Sequence, residues 1–158
     1  MTNHTPRQTD RVDQAVACFQ EGFSCSQAVL ATFAPQLGMD RDLALKVSGA
    51  FGAGMGRLGD TCGAVTGAFM VIGLVHGRTK AEDQETKEKA YALVAELADQ
   101  FKQRNGSLAC RELLGCDLGT PEGRQHSHDH GLFATRCVKF VRDAAEIVEG
   151  MLAQPEDG

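Results

Sequence analysis

The chain has 158 residues, of which 42% are hydrophobic and 23% are charged, and its formal net charge is −5. This length is sufficient for a single domain whose core forms without disulfide bonds or structural metals. The absence of any lysine-rich or arginine-rich run argues against a nucleic-acid partner, because phosphate binding needs a basic face.

Apolar residues recur at the spacing of one helix face through the first half of the chain. This pattern predicts helices over about residues 10–21, 25–37, 41–51 and 62–75. Ser24 and Asp40 are suited to cap the second and third helices, and Asp60 or Thr61 the fourth. The glycine-rich stretch 52–59 is predicted to lack regular structure, because glycine is costly inside helices and strands.

The second half predicts a long helix over 79–104, a short one over 108–114, a loop over 116–131 and a last amphipathic helix over 132–152. No run shows the strict alternation of a half-buried strand. The fold class predicted is therefore all-α, a single-domain bundle of about six or seven helices over residues 10–152. Residues 1–9 are predicted to form a polar N-terminal extension and residues 153–158 a disordered tail.

The longest apolar stretch, residues 64–75, is much shorter than the roughly 20 residues of a membrane span. No secretory signal is visible either, so we expect a cytoplasmic protein without a membrane span. In a reducing compartment, six scattered cysteines are more typical of buried, metal-binding or catalytic thiols than of structural disulfides.

Cys62 lies at the predicted start of the fourth helix, where unpaired N–H groups and the helix dipole favour a negative charge. This position predicts a lowered thiol pKa, and so a nucleophile or a metal ligand. Gly63 and Gly67 share one helix face and predict close approach of another backbone, in this chain or in a homodimer. The alternative is ordinary helix packing around a buried cysteine.

Cys25, Cys110 and Cys137 also lie near predicted helix starts or on an apolar stripe. Together with Cys62 they could converge in a bundle and hold an iron–sulfur cluster or, as second choice, zinc. The residues alone leave inert buried cysteines as the alternative, because their spacing matches no zinc-ribbon or ferredoxin pattern. No CxxCH motif for covalent haem is present.

Two further patterns suggest binding sites. Gly54, Gly56 and Gly59 match GxGxxG, but a predicted helix precedes them, which disfavours a dinucleotide site. We interpret this segment as a loop that places Cys62 and lets Arg57 meet an anion, or as a plain turn. A second pattern, the alternating histidines of the predicted loop, is either a transition-metal site or a solvated run: His126, His128 and His130.

These cysteine and glycine motifs together resemble the bacterial family of redox-active proteins named for its C_GCAxxG_C_C pattern. The matching stretches are residues 23–30, 52–56, 61–67 and 110–115, followed by Cys137. One departure is the order Cys62-Gly63-Ala64, where the family name writes Gly-Cys-Ala. The resemblance implies redox activity carried by four cysteines, with an iron–sulfur centre as a plausible cofactor and no particular substrate: Cys25, Cys62, Cys110 and Cys137.

Three functions follow from these observations, and whether the protein is an enzyme stays open. The first is electron transfer to an unknown redox partner through an iron–sulfur cluster or other metal centre. The second is thiol–disulfide chemistry with Cys62 as the reactive thiolate. The third is a structural or interaction role in which the buried cysteines are inert.

Overall fold

The computed structural model describes residues 8–154, and this part of the chain forms helices and turns with no β-strand. The prediction of an all-α single domain is confirmed, and the number of helices is close to the number predicted. The predicted extension over 1–9 and tail over 153–158 lie for the most part outside the described residues. The α-helices are α1 (Gln8–Gln20), α2 (Cys25–Phe33), α3 (Arg41–Ser48), α4 (Gly63–His76), α5 (Gln84–Asn105), α6 (Cys110–Leu114), α7 (Pro121–Asp129) and α8 (Val138–Leu152).

Several helix boundaries differ from the prediction for local reasons. The second helix leaves the α conformation after Phe33 and continues as a 3₁₀ turn, Ala34–Leu37, because Pro35 has no N–H to donate. The long helix begins at Gln84 rather than near residue 79. Its cap is Asp83, whose carboxylate accepts a hydrogen bond from the Thr86 N–H at 3.1 Å.

The prediction of a loop over 116–131 is wrong, because α7 occupies most of it. Thr120 caps α7 by accepting a hydrogen bond from the Gly123 N–H at 3.0 Å, and Pro121 takes the first helical position. The predicted last helix is also divided, since a π-helical turn, Phe133–Cys137, precedes α8. Such turns are frequent at functional sites.

The core is built around α2, which packs against α1, α3 and, most extensively, α4. The inward face of α2 is fully buried, and each of its large apolar side chains contributes roughly 1.5–3 kcal/mol by leaving water. On the opposite side α8 packs against α1, α4 and α5 through the apolar stripe that the sequence predicted. The two sets of contacts fix the starts of α2 and α4 beside each other.

A charged pair fastens α1 to α8 inside this packing. Arg11 donates to the Glu149 carboxylate at 2.5 Å, and the Glu149 side chain is only 4% exposed. The Arg11 guanidinium also lies 5.4 Å from the ring centre of Phe33, so it contacts α2 as well. Because a carboxylate buried to this degree needs a partner charge, Arg11 is a structural residue.

Within residues 8–154, no helix combines the length and the apolar character that crossing a bilayer requires.

Candidate functional site

The glycine-rich segment forms a left-handed turn. All five residues from Ala53 to Arg57 have positive φ angles, between 61° and 72°. The turn is closed by hydrogen bonds from the Met55 N–H to the Phe51 carbonyl at 3.1 Å and from the Gly56 N–H to the Gly52 carbonyl at 2.8 Å. Left-handed backbone costs roughly 1–2 kcal/mol for each residue other than glycine, and such strain persists mainly at functional sites. The sequence predicted irregular structure here and gave no sign of the left-handed helical path.

A short antiparallel contact attaches the end of this segment to the start of α6. Thr61 and Ala109 form an isolated β-bridge. Beside it, the Cys62 N–H donates to the Leu108 carbonyl at 2.7 Å and the Cys110 N–H to the Asp60 carbonyl at 2.6 Å. These bonds bring two cysteines that are distant in the chain into neighbouring positions.

Cys25 and Cys62 begin two packed helices and are in direct contact. Cys25 is the first residue of α2, behind Ser24, which caps that helix together with Gln27. Cys62 is the cap residue of α4. Each thiol shifts the pKa of the other, so the two sulfur atoms lie close together. The contact depends on Gly63, because a Cβ atom at that position would overlap the Cys25 sulfur.

The pKa of Cys25 is lowered to about 7. The largest cause is the hydrogen bond from Cys62, and N–H groups of Ala53 and Ser26 add to it against the opposing effect of burial. The left-handed turn thus supplies one of the donors that stabilise the thiolate. Of the two thiols, Cys25 is thus the one whose pKa is lowered.

The pKa of Cys62 is raised well above its ordinary value. The causes are the hydrogen bond to Cys25, burial and the charge of Cys25, and together they outweigh the helix start. The sequence prediction placed the lowered pKa on Cys62, and the structure places it on Cys25. The difference arises because more hydrogen bonds lower the pKa of Cys25 than that of Cys62. One of them comes from Ala53, and the sequence does not show that Ala53 lies near Cys25.

Cys110 and Cys137 line the same cavity as this pair. Burial is the main reason that the pKa of each thiol rises to about 12. Arg136 ties the π-helical turn to α6, since its guanidinium donates to the Leu113 and Leu114 carbonyls at 3.3 and 3.2 Å. Four of the six cysteines thereby line a single cavity of about 1000 Å³: Cys25, Cys62, Cys110 and Cys137.

The remaining lining combines apolar, polar and cationic groups. Four phenylalanines and three leucines contribute to the walls, and within residues 8–154 the charged side chains that line the cavity are those of Arg57 and Arg124. Sequence reasoning raised Arg57 as an anion contact but missed Arg124 and the N–H of Ala53. The Thr120-Pro121 helix start could have placed Arg124 on a helix, whereas no sequence signal indicates the role of Ala53.

Other predicted site residues lie elsewhere. His126 and His128 are on α7 rather than in a loop, His130 directly follows that helix, and none of the three lines the cavity. The rings of His126 and His130 stack with centroids 4.1 Å apart, and His128 lies 3.6 Å from the Asp129 carboxylate. Cys18 and Cys116 do not line the cavity either.

Across residues 8–154, no group of three or more histidine, cysteine, aspartate or glutamate residues is arranged to hold a metal ion. Thiolates are nevertheless soft ligands that suit iron–sulfur clusters. The four cavity cysteines therefore fit such a cluster by donor chemistry, while they do not form a ready site for a single ion.

The glycine face of α4 packs against another helix of the same chain. Cβ atoms at Gly63 and Gly67 would approach Ser26 of α2 too closely, so this face is covered by α2. The homodimer prediction thereby loses the feature on which it depended.

Comparison with known proteins identifies the family. The family model described as "Putative redox-active protein (C_GCAxxG_C_C)" matches residues 23–151, and the chain belongs to this family. The resemblance seen in the sequence is thus confirmed. No curated protein and no solved structure matches the chain.

Proposed function

We propose that the protein carries out reversible thiol–disulfide exchange, with Cys25 as the attacking thiolate and Cys62 as the resolving thiol. The observation that supports this most directly is the closeness of Cys25 and Cys62 at the starts of two packed helices, with the lowered pKa on Cys25. Membership of a family described as redox-active is consistent with it. Inert cysteines are disfavoured, because an unreactive buried thiol has no need of donated hydrogen bonds that stabilise its anion.

The exchange begins at Cys25. Its thiolate attacks one sulfur of a partner disulfide, the partner S–S bond breaks, and the electron pair leaves on the other partner sulfur as a thiolate. Cys25 is then uncharged in a mixed disulfide. Both the hydrogen bond to the Cys25 thiolate and its charge raise the pKa of Cys62, so these effects end at this step.

Cys62 completes the exchange. Its proton passes to the released partner thiolate, and the Cys62 sulfur attacks the sulfur of Cys25. The mixed disulfide breaks, the second partner thiolate leaves, and a disulfide joins Cys25 to Cys62. The partner gains two electrons, and the protein loses two.

Counting thiols before and after mild oxidation tests this function. We expect the oxidised protein to lose two of its six thiols and to regain them with dithiothreitol. Cys25→Ser and Cys62→Ser should each prevent the loss, whereas Cys18→Ser and Cys116→Ser should leave it intact because those residues lie outside the cavity. Loss of two thiols in the Cys25→Ser variant would contradict the assignment.

We keep electron transfer through a metal cluster as a second candidate, supported by the position of all four cysteines on one cavity. Cys25, Cys62, Cys110 and Cys137 would be the ligands, and a bound iron–sulfur cluster would supply one-electron chemistry. Anaerobic purification followed by iron, zinc and acid-labile sulfide analysis tests this candidate. Stoichiometric iron and sulfide, lost in each of the four Cys→Ser variants, would favour it over thiol exchange.

A cytoplasmic location is part of the proposal. All six cysteines are free thiols in the described chain, and thiols persist without forming structural disulfides in reducing compartments.

A further inference from the structure

The charged side chains of the cavity lining are positive. Arg57 and Arg124 line the cavity, and no aspartate or glutamate between residues 8 and 154 does. The Arg57 guanidinium is exposed and makes no hydrogen bond or ion pair with another described residue. Arg124 donates to the Leu118 carbonyl at 2.9 Å, which holds its guanidinium in place and leaves further N–H donors unused. Two cationic side chains without carboxylate partners at one cavity favour an anionic ligand.

The apolar part of the cavity lining is suited to an apolar group of a ligand. Four of the eight phenylalanines of the chain line the cavity, together with three leucines. Aromatic walls bind flat apolar groups by stacking and by removing them from water. A cavity of about 1000 Å³ has the size that encloses most of a drug-sized molecule.

We propose that the cavity binds a small disulfide with an aromatic body and a carboxylate, and that Arg57 and Arg124 hold the carboxylate while the disulfide reaches Cys25. This inference rests on the proposed function and names the substrate class of the same site. Cys25 is half-buried as a residue and lines the cavity, so a molecule bound in the cavity lies beside it. A peptide disulfide that lacks an aromatic side chain would leave the aromatic walls without a matching partner.

The reaction conserves atoms and electrons. The Cys25 thiolate attacks one sulfur of the small disulfide and displaces the other as an aromatic thiolate. Cys62 then loses its proton to that thiolate and attacks Cys25, which releases the second half of the substrate. One small disulfide becomes one thiol and one thiolate, and the protein gains the Cys25–Cys62 disulfide.

The test compares two aromatic disulfides that differ in charge. Dithiobis(nitrobenzoate) carries carboxylates, and dithiodipyridine is neutral. The reaction phase assigned to Cys25 is the one that Cys25→Ser abolishes. We expect Arg57→Gln and Arg124→Gln each to lower the rate constant of this phase for dithiobis(nitrobenzoate) by about three- to tenfold at low salt. The rate constant for dithiodipyridine should change less than about twofold, because it offers no charge to either arginine.

Two controls make the result specific. Arg78→Gln removes an exposed arginine that does not line the cavity and should leave both rate constants unchanged. High salt should reduce the difference between wild type and the arginine variants, since screening weakens exposed charge pairs. If Arg124→Gln fails to fold by circular dichroism, Arg57→Gln alone decides the test, because its side chain is exposed.

Two negative outcomes are distinguishable. Equal rate constants for dithiobis(nitrobenzoate) in wild type and Arg57→Gln, with a normal Cys25 phase, would overturn the substrate class and leave thiol exchange standing. Absence of any Cys25-dependent phase with both reagents in the wild-type protein would overturn thiol exchange itself and this inference with it.

Discussion

Cys25 and Cys62 lie beside each other at the point where helix α2 and helix α4 both begin, and the thiol of Cys62 lowers the pKa of Cys25. A third segment, the left-handed turn that begins at Ala53, adds an N–H group that lowers the pKa of Cys25 further. A thiolate is therefore stabilised by groups from three separate stretches of the chain. Four predictions follow from this arrangement and from the packing that supports it.

The reactivity of Cys25 should depend on pH with a midpoint near pH 7. Its pKa is lowered to about 7, so the thiolate fraction rises as the pH increases through that value and the alkylation rate rises with it. Cys62→Ala removes the largest cause of the lowered pKa and should move the midpoint above about pH 8. The measurement is the rate of Cys25 modification by iodoacetamide between pH 5 and pH 10, followed by mass spectrometry.

Cys116→Ser is the control for this profile and should leave the midpoint where it is, because Cys116 lies outside the cavity. A wild-type midpoint near pH 9 would show that the hydrogen bonds to Cys25 do not stabilise its thiolate.

Alanine substitutions at two glycines of α4 should change the stability of the fold in opposite directions. Gly63→Ala places a methyl group against the Cys25 sulfur and should destabilise the fold by about 1–3 kcal/mol and slow the Cys25 reaction. Gly73→Ala adds its methyl group in open space within the same helix and should stabilise the fold by up to about 1 kcal/mol. Urea denaturation measures both. Equal free energies of unfolding for the two variants would contradict the close approach at Gly63.

A glycine at position 53 should relieve the backbone strain of the left-handed turn. Ala53 has φ of 61°, a conformation that glycine adopts without steric strain, so Ala53→Gly should stabilise the fold by about 1 kcal/mol. Ala92→Gly, at an exposed position within α5, should instead destabilise it by about 1 kcal/mol. Thermal denaturation of the pair gives the sign of each change, and a loss of stability in Ala53→Gly would rule out strain at that residue.

The buried pair of Arg11 and Glu149 should contribute far more to the stability of the fold than an exposed charge pair does. Arg11→Met leaves the Glu149 carboxylate buried without its partner and should destabilise the fold by about 3 kcal/mol. Arg142→Met breaks a pair with Asp13 whose side chains are 42% and 66% exposed, so the expected change is at most about 1 kcal/mol. Both values come from chemical denaturation at neutral pH. The explanation fails if the two variants are equally stable.

Much of the helical fold could be predicted from local patterns. The apolar stripe of α8 and the caps Ser24 and Asp40 are local signals, and the structure contains them where they were expected. The errors also have local causes. The Thr120-Pro121 start of α7 was not recognised as a helix start, and the π-helical turn before α8 leaves no mark in the hydrophobic pattern.

The sequence by itself determined the helical class, the family and the identity of four candidate cysteines, because periodicity, caps and motifs depend on residues close together in the chain. Only the tertiary structure decided which sulfur carries the charge. That choice depends on N–H donors and a neighbouring thiol that reach Cys25 from distant segments, and on a glycine whose missing side chain lets two helices touch.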